Sequence, residues 1–277
     1  MRIALLASGS SGNSLLIRSG RTSVLVDAGI SARRLSRSVR ESGADPGAIG
    51  AVLVTHEHSD HVCGLPVLAR ETRVPVIATA GTLREIGPAL PACCETSVVS
   101  AGARFDVGDL TVSVFPVSHD AAEPVGFSIT DGAHRVAVAT DLGMVGPDAR
   151  EHLRAADCVV LECNHDERML LDGPYPWHLK QRVLGDTGHL SNGAASREIE
   201  RLGDGPLSTL VLAHLSRRNN TPDLAHEAAA GALRRAGRPD VSVLVAAPFA
   251  VVGPFDAAGV SERVTAQANT AERRCGE

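Results

Sequence analysis

Aromatic residues are scarce in this 277-residue chain: 3% of positions, with a single Trp177 and a single Tyr175. That scarcity argues against a surface that holds nucleic acid mainly by base stacking, which needs several exposed rings. Positive charge is not in excess either. The formal net charge of −5 excludes a broadly basic coat and leaves room only for a local basic groove. No apolar run is long enough to span a membrane, and the run before Ser8 is too short for a secretory leader. The six cysteines (Cys63, Cys93, Cys94, Cys158, Cys163 and Cys275) lack framework spacing, so reduced thiols in a cytoplasmic protein are expected. What the chain does have is a 44% apolar fraction, enough for a substantial core.

Apolar runs at 3–7, 15–17, 23–26, 51–54, 74–78, 110–117, 126–130, 135–139, 158–161, 207–212 and 241–246 read as strands. Helical patterns cover 31–40, 61–72, 81–86, 147–156 and 223–235, and another helix runs to Arg201 from a cap at Ser191 or Asn192. In the first of these, Leu35 and Val39 share one face, while Arg33, Arg34, Arg37 and Arg40 read as a solvated face. Residues 167–188 form an arm punctuated by Pro and Gly that carries Arg168, Lys180 and Arg182. Two β-rich runs, each followed by helices, predict an α/β (α+β) fold with two facing mixed sheets and helices outside. No composition break divides them, so one domain is expected over 1–259, with 260–277 a mobile tail.

Chemistry concentrates in Thr55-His56-Glu57-His58-Ser59-Asp60-His61, directly after the apolar run 51–54. His56, His58, Asp60 and His61 place four metal-capable side chains within six residues at a strand end. Imidazole with carboxylate suits zinc and similar divalent ions, and this spacing can feed two adjacent metals. Other apolar strands end the same way, at Asp27, His119, Asp141, Glu162 and His214. Together these ends imply one shared rim where a site would lie. The Gly-Ser turn over 8–14 offers backbone amides and hydroxyls that can hold an anion, or serves as a simple hairpin turn.

These stretches resemble the five-motif order of metallo-β-lactamase-fold hydrolases, and the resemblance covers nearly the whole chain. Within that superfamily the chain looks most like the YycJ-like (WalJ) branch, related to tRNase Z and to PhnP-type phosphodiesterases. The matching stretches are 7–14, 161–166, 174–192 and 214–220, of which Pro174-Tyr175-Pro176 and Gly188-His189-Leu190-Ser191-Asn192 are the most branch-specific. The resemblance implies a four-layer αββα sandwich and two divalent ions, Zn²⁺ or Mn²⁺, with Fe²⁺ also compatible. His56, His58 and His119 would hold the first ion, Asp60, His61 and His214 the second, and Asp141 would bridge them. Asp27 corresponds to a carboxylate that fixes a ligand histidine, and His165 would orient a neighbour. Asp60, Glu162 and His189 would be catalytic, with Glu162 and His189 assisting the leaving group. Ser11, Asn13, Arg217, Asn219 and Asn220 are candidates for substrate or phosphate contact.

Two cations about 3.5–4 Å apart can share a water, make hydroxide available near neutral pH and steady an in-line phosphoryl transition state. The function so implied is a phosphodiesterase or nuclease, 5′-to-3′ on nucleic-acid ends. Its partners would be a nucleic acid or small phosphodiester and, as a possible homodimer, a second copy, with no membrane. Asp141 and His214 are 214 − 141 = 73 residues apart, too close for the extra domain of the β-CASP nucleases. No stretch matches the long glycine-rich arm of tRNase Z, and Asp at position 141 argues against lactam hydrolysis. The alternative is a thioester hydrolase of the glyoxalase II kind, which uses the same ligands but leaves Glu162 and His189 unexplained. A non-enzymatic regulator should have lost ligands, and all seven are present.

Overall fold

β-Branched and leucine-rich runs pair into two seven-stranded mixed sheets in the computed structural model, which describes residues 1–246 and 250–259. In chain order the strands are β1 (Arg2–Ala7), β2 (Ser14–Ser19), β3 (Thr22–Val26), β4 (Ala51–Leu53), β5 (Val76–Thr79), β6 (Thr96–Val99) and β7 (Arg104–Val107). They continue as β8 (Leu110–Pro116), β9 (Val125–Thr130), β10 (Arg135–Ala139), β11 (Cys158–Glu162), β12 (Thr209–Ala213), β13 (Ser242–Val245) and β14 (Val252–Asp256). The helices are α1 (Ala32–Glu41), α2 (Ser59–Val62), α3 (Leu65–Thr72), α4 (Ala80–Ile86) and α5 (Pro147–Arg154). After them come α6 (Glu167–Asp172), α7 (Trp177–Leu184), α8 (Asn192–Arg201) and α9 (Pro222–Arg235).

One sheet runs β14-β1-β2-β3-β4-β5-β6 and the other β13-β12-β11-β10-β9-β8-β7. Ile3, Leu5 and Val24 from the first meet Val112, Phe127, Val160 and Val211 from the second in one buried cluster. The outer faces are covered in turn: Leu35, Val39 and Leu68 pack under the first sheet, and Leu153, Ile199, Ala229 and Leu233 under the second. Each large apolar side chain so buried contributes about 1.5–3 kcal/mol relative to exposure. The order is helix, sheet, sheet, helix, as expected.

Parallel pairing decides where the strand ends go. β3 and β4 are parallel, and so are β10, β11 and β12. Their carboxyl ends meet along one rim, where open sheets of this kind place their ligands.

Three local expectations change. The helix expected over 61–72 is broken into α2 and α3 at Cys63 and Gly64. A Cβ on Gly64 would stand 2.0 Å from the Ile30 carbonyl, so the chain must turn where two backbones nearly touch. The arm over 167–188 is more regular than its Pro and Gly content suggests, because Asp166 caps α6 by accepting from Met169 N–H and α7 follows Pro176. β14 was not expected, since Gly253 and Pro254 interrupt its apolar pattern, yet it pairs antiparallel with β1 and forms that sheet's edge strand. Residues 260–277, expected as a tail, lie outside the described residues. Among the described residues no helix is long and apolar enough to cross a membrane.

Candidate metal centre

The carboxyl ends of β4, β10 and β12 and the loop after β8 deliver His56, His58, Asp60, His61, His119, Asp141 and His214 to one cluster, beside Asp27 after β3 and Glu162 at the end of β11. Ligand atoms of His56, His58 and His119 lie within 4.8 Å of one another, as do those of Asp60, His61 and His214. Asp141 joins the two groups: it clusters with His56 of the first and His61 of the second, its Oδ2 3.2 Å from His61 Nε2 and its Oδ1 3.4 Å from His214 Nδ1. Three strand-end residues, Asp27 (φ 62°), Asp141 (φ 57°) and His214 (φ 55°), adopt the left-handed backbone. Each such residue costs on the order of 1–2 kcal/mol for a side chain with a Cβ. The conformation turns a side chain sharply off the strand axis, and here it turns all three toward the same space.

The ring nitrogens that face away from the cluster are held. His61 Nδ1 is 2.7 Å from Asp27 Oδ2, and His56 Nδ1 is 3.1 Å from Thr55 Oγ1. His119 Nδ1 reaches the carbonyls of Thr187 and Gly188 at 3.2 and 3.3 Å. Such contacts set tautomer and ring orientation, leaving the opposite nitrogen as a ligand. Asp27 is fixed in turn, accepting 2.8 Å bonds from Thr55 N–H and Thr55 Oγ1. Gly29 makes the loop packing possible, since a Cβ there would stand 1.6 Å from the Asp60 carbonyl oxygen.

Glu162 sits at the centre of a further group. Its Oε1 lies 2.7 Å from His189 Nδ1 and 2.9 Å from His214 Nδ1. Its Oε2 accepts from Leu142 N–H at 2.9 Å and from Leu190 N–H at 3.3 Å. The carboxylate therefore holds both a candidate ligand and His189, whose side chain is 22% exposed at the rim. The His189 ring stands 5.3 Å from that of His119 and 5.2 Å from that of His214, facing both halves of the cluster.

Charge inside the cluster is strongly coupled. Burial works against ionising Asp141, yet His214 and His61 hold it well below the usual carboxylate range. Burial likewise opposes charge on His214, but Asp141, Asp60 and Glu162 raise it to about 10. Glu162, buried beside His189, is pulled down to about 2, and His189 is raised by the same partner against its own burial. Burial pushes His56 and His119 down. Within the cluster, His56 Nε2 is buried without a hydrogen-bond partner and Asp141 Oδ2 has only the 3.2 Å ion-pair contact with His61 Nε2. Packed imidazole nitrogens and carboxylate oxygens with unused lone pairs are the donor set a divalent cation satisfies. The residues fit a metal.

The other expected site residues are distributed differently. Asn13 Nδ2 lies 3.2 Å from Asp60 Oδ2 and 3.0 Å from His61 Nε2, against two candidate ligands. Ser11 and Arg217 line a neighbouring cleft. Asn220 is buried instead of facing an open cleft: its Nδ2 donates to the Cys163 and Asn164 carbonyls and to Asn192 Oδ1. Asn219 is also fully buried, its side-chain amide without a partner. His165 is buried with both ring nitrogens unpartnered, so it orients no neighbour by a ring hydrogen bond. Of the arm's cations, Arg182 pairs with Asp120 at 2.6 Å and Lys180 bonds the Leu171 carbonyl.

Sequence reasoning missed Thr55, Ser8 and Asn164. Ser8 Oγ accepts from His214 N–H at 2.8 Å, and Asn164 Nδ2 donates to the His214 carbonyl at 2.8 Å. Their only signal was adjacency to recognised motifs.

Two facing mixed sheets with a His- and Asp-rich divalent-metal cluster at one rim define a metallo-β-lactamase-fold hydrolase. The chain belongs to the β-lactamase superfamily: the profile of the "Beta-lactamase superfamily domain" matches residues 22–215. It is 35% identical over 240 residues to a Bacillus anthracis protein named exodeoxyribonuclease YycJ, covering 86% of this chain and 90% of that one. Exodeoxyribonuclease WalJ of Streptococcus pneumoniae is 34% identical over 229 residues, covering 81% of this chain and 85% of that one. The fold is shared with the metallo-β-lactamase fold protein YhfI from Bacillus subtilis, with a TM-score of 0.68 at 18% identity over 90% of this chain and 98% of that one.

Proposed function

We propose that the enzyme is a two-metal phosphodiesterase that degrades nucleic acid from a strand end, in the 5′-to-3′ direction. The observation that carries this reading is the Glu162–His189 pair, 2.7 Å apart at the mouth of the cluster. The relatives named exodeoxyribonucleases support it. In this reading His56, His58 and His119 would hold one ion, Asp60, His61 and His214 the other, and Asp141 would serve both. Divalent ions bound there, zinc or manganese, would supply Lewis-acid activation of water near neutral pH and positive charge to steady the phosphoryl group.

The chain's own residues supply the rest. Glu162 fixes the Nδ1 side of His189 and raises its proton affinity, so Nε2 carries a proton toward the leaving oxygen. Asp60, its carboxyl lowered chiefly by the His214 hydrogen bond against the effect of burial, stays anionic and available to an ion.

The test uses protein with its metal content measured, bis-para-nitrophenyl phosphate and 5′-phosphorylated single strands. Wild-type protein is expected to cleave both, and His189→Ala to lower kcat by about 10²–10⁴ with its metals retained. No cleavage by metal-loaded wild type overturns the reading. Fewer than about 1.5 metal equivalents per chain counts against the two-ion site. Turnover of S-lactoylglutathione, with His189→Ala harmless, favours the thioester hydrolase instead.

A further inference from the structure

Helix α1 carries Arg33, Arg37 and Arg40 at i, i+4 and i+7, which sets all three on one exposed stripe opposite the buried Leu35 and Val39. α3 packs beside it, sharing the cluster under the first sheet through Leu65 and Leu68, and is followed by further exposed arginines, Arg70 and Arg73. With Arg34, residues 32–41 and 65–73 hold six arginines against two acids, Glu41 and Glu71, or 6 − 2 = +4 in a chain whose net charge is −5. Among the described residues Arg33, Arg40, Arg70 and Arg73 make no ion pair. Arg37 pairs with Glu41 at 2.7 Å, but both side chains stand in solvent, 78% and 48% exposed. A pair so exposed adds little stability, and a phosphate can displace its carboxylate.

The stripe starts at the metal centre and leads away from it. α1 follows directly on the loop whose Ala28 N–H donates to the His61 carbonyl and whose Gly29 N–H donates to the Asn13 carbonyl. Arg33 is therefore nearest the rim and Arg40 about 10 Å further along the helix. That is the span of about three phosphates on one strand of a duplex, at about 3.4 Å each. The helix itself gains nothing from this charge, since Arg33 and Arg34 lie in a first turn that has no acid, against the helix dipole. An anionic membrane also attracts arginine, but a helix lying on one needs an exposed apolar face. The apolar side chains of α1, Leu35 and Val39, are fully covered by the fold. Neither α1 nor α3 carries an aromatic ring, so a strand held here is held by its backbone and not by stacked bases.

We propose that the α1 stripe carries the phosphate backbone of a nucleic-acid strand beyond the bond being cleaved, by charge and without reading sequence. Arg33 meets the phosphate nearest the centre and Arg40 the one farthest from it, while Arg70 and Arg73 add to the local positive field. The inference rests on the nuclease reading and deepens it: a strand long enough to leave the centre is held along α1, and a very short one is not.

The experiment measures binding of cleavage-resistant phosphorothioate oligothymidylates, about 4 and about 25 nucleotides long, to metal-loaded full-length protein by fluorescence anisotropy between about 50 and 200 mM salt. Each phosphate contact on a single strand adds about −0.7 to the slope of log affinity against log salt, so the variant Arg33→Gln with Arg37→Gln and Arg40→Gln should have a slope shallower by about 2 on the long strand. Across that range it should lose about twentyfold less affinity than wild type does. Its binding of the short strand and its turnover of bis-para-nitrophenyl phosphate should match wild type. Arg33→Lys with Arg37→Lys and Arg40→Lys should keep the wild-type slope, because charge and not fork geometry is used. Arg154→Gln with Arg197→Gln and Arg234→Gln removes the same charge from exposed positions on the opposite helical layer and should leave the slope unchanged. Equal slopes for wild type and the α1 glutamine variant overturn the proposal, as does a control that changes the slope as much. Phosphatidylserine–phosphatidylcholine vesicles that bind wild type but not the α1 variant, with equal oligonucleotide slopes, would make the stripe a membrane surface instead. A stripe-dependent slope in a wild type that hydrolyses no phosphodiester supports the stripe and overturns the nuclease reading alone.

Discussion

Asp27 holds His61 at 2.7 Å while accepting two bonds from Thr55. One buried carboxylate thus aims a candidate ligand and pins the first residue of the histidine loop. Removing it leaves Thr55 N–H buried without its acceptor and His61 Nδ1 with only the longer 3.3 Å contact to Thr55 Oγ1. Asp27→Ala is expected to cost about 3–5 kcal/mol, since it breaks a buried charged pair from one side. Metal affinity should fall by about 10–100-fold, the usual effect of losing a partner behind a ligand. Thermal unfolding and chelator competition measure the two effects. Wild-type affinity in the variant would remove Asp27 from the ligand-orienting role.

At the scale of elements, the site depends on how closely loops from different strands approach. Asn13 N–H donates to the Asp60 carbonyl, Gly29 N–H to the Asn13 carbonyl, and Ala28 N–H to the His61 carbonyl. This knot joins the β1–β2 turn, the end of β3 and the start of α2. Gly29→Ala would set a methyl 1.6 Å from the Asp60 carbonyl oxygen. The backbone must move, at about 1–3 kcal/mol for overpacking. The expected result is a lower Tm together with reduced occupancy of the metal held by Asp60 and His61. A variant with full metal content and normal activity would show that the knot tolerates displacement. The arm acts similarly on the other side: the Thr187 and Gly188 carbonyls orient His119, while Ser118 Oγ donates to the Asp186 carbonyl.

For the whole molecule, the cluster links stability to pH and to metal. His214 rises from 6.5 to about 10 in the folded metal-free protein, so its contribution is complete below pH 6.5 and is lost as pH climbs toward 10. His61 shifts the same way. His56 and His119 are lowered from 6.5, so their burial destabilises the fold as pH drops below that value. Glu162 adds loss on the acid side, from 4.5 down to about 2. Metal-stripped protein is therefore expected to show its highest Tm near pH 6.5, with a fall on either side. Metal must displace the imidazole protons, so affinity should strengthen with pH and the loaded protein should gain most on the alkaline side. Calorimetry across pH, with and without metal, checks this. A metal-free Tm that keeps rising above pH 8 would contradict it. One cooperative transition is also expected, because the core between the sheets is shared by both.

Much of the centre was legible in the sequence. His56, His58, Asp60 and His61 are close enough in the chain that a strand end and one turn bring them together, whatever else the fold does. Asp141, Glu162 and His214 were visible because each ends an apolar run, and parallel strands in a sheet share a carboxyl-terminal rim. The sandwich followed from the same alternation of apolar strands and helices. The rest was decided by contacts between segments far apart in sequence. Glu162 gathers His189 and His214 across 27 and 52 residues, and His214 N–H meets Ser8 across 206. Asn219 and Asn220 look like substrate contacts in the sequence but are turned inward by the loop after β12. Gly64 breaks a helix because another backbone passes beside it. Residue types and short spacings determine which chemistry is available, because ligand identity and strand periodicity are local properties. Which nitrogen faces the metal, which carboxylate holds it and which polar side chain reaches open space depend on three-dimensional packing, since burial and hydrogen bonding are settled only when distant segments meet.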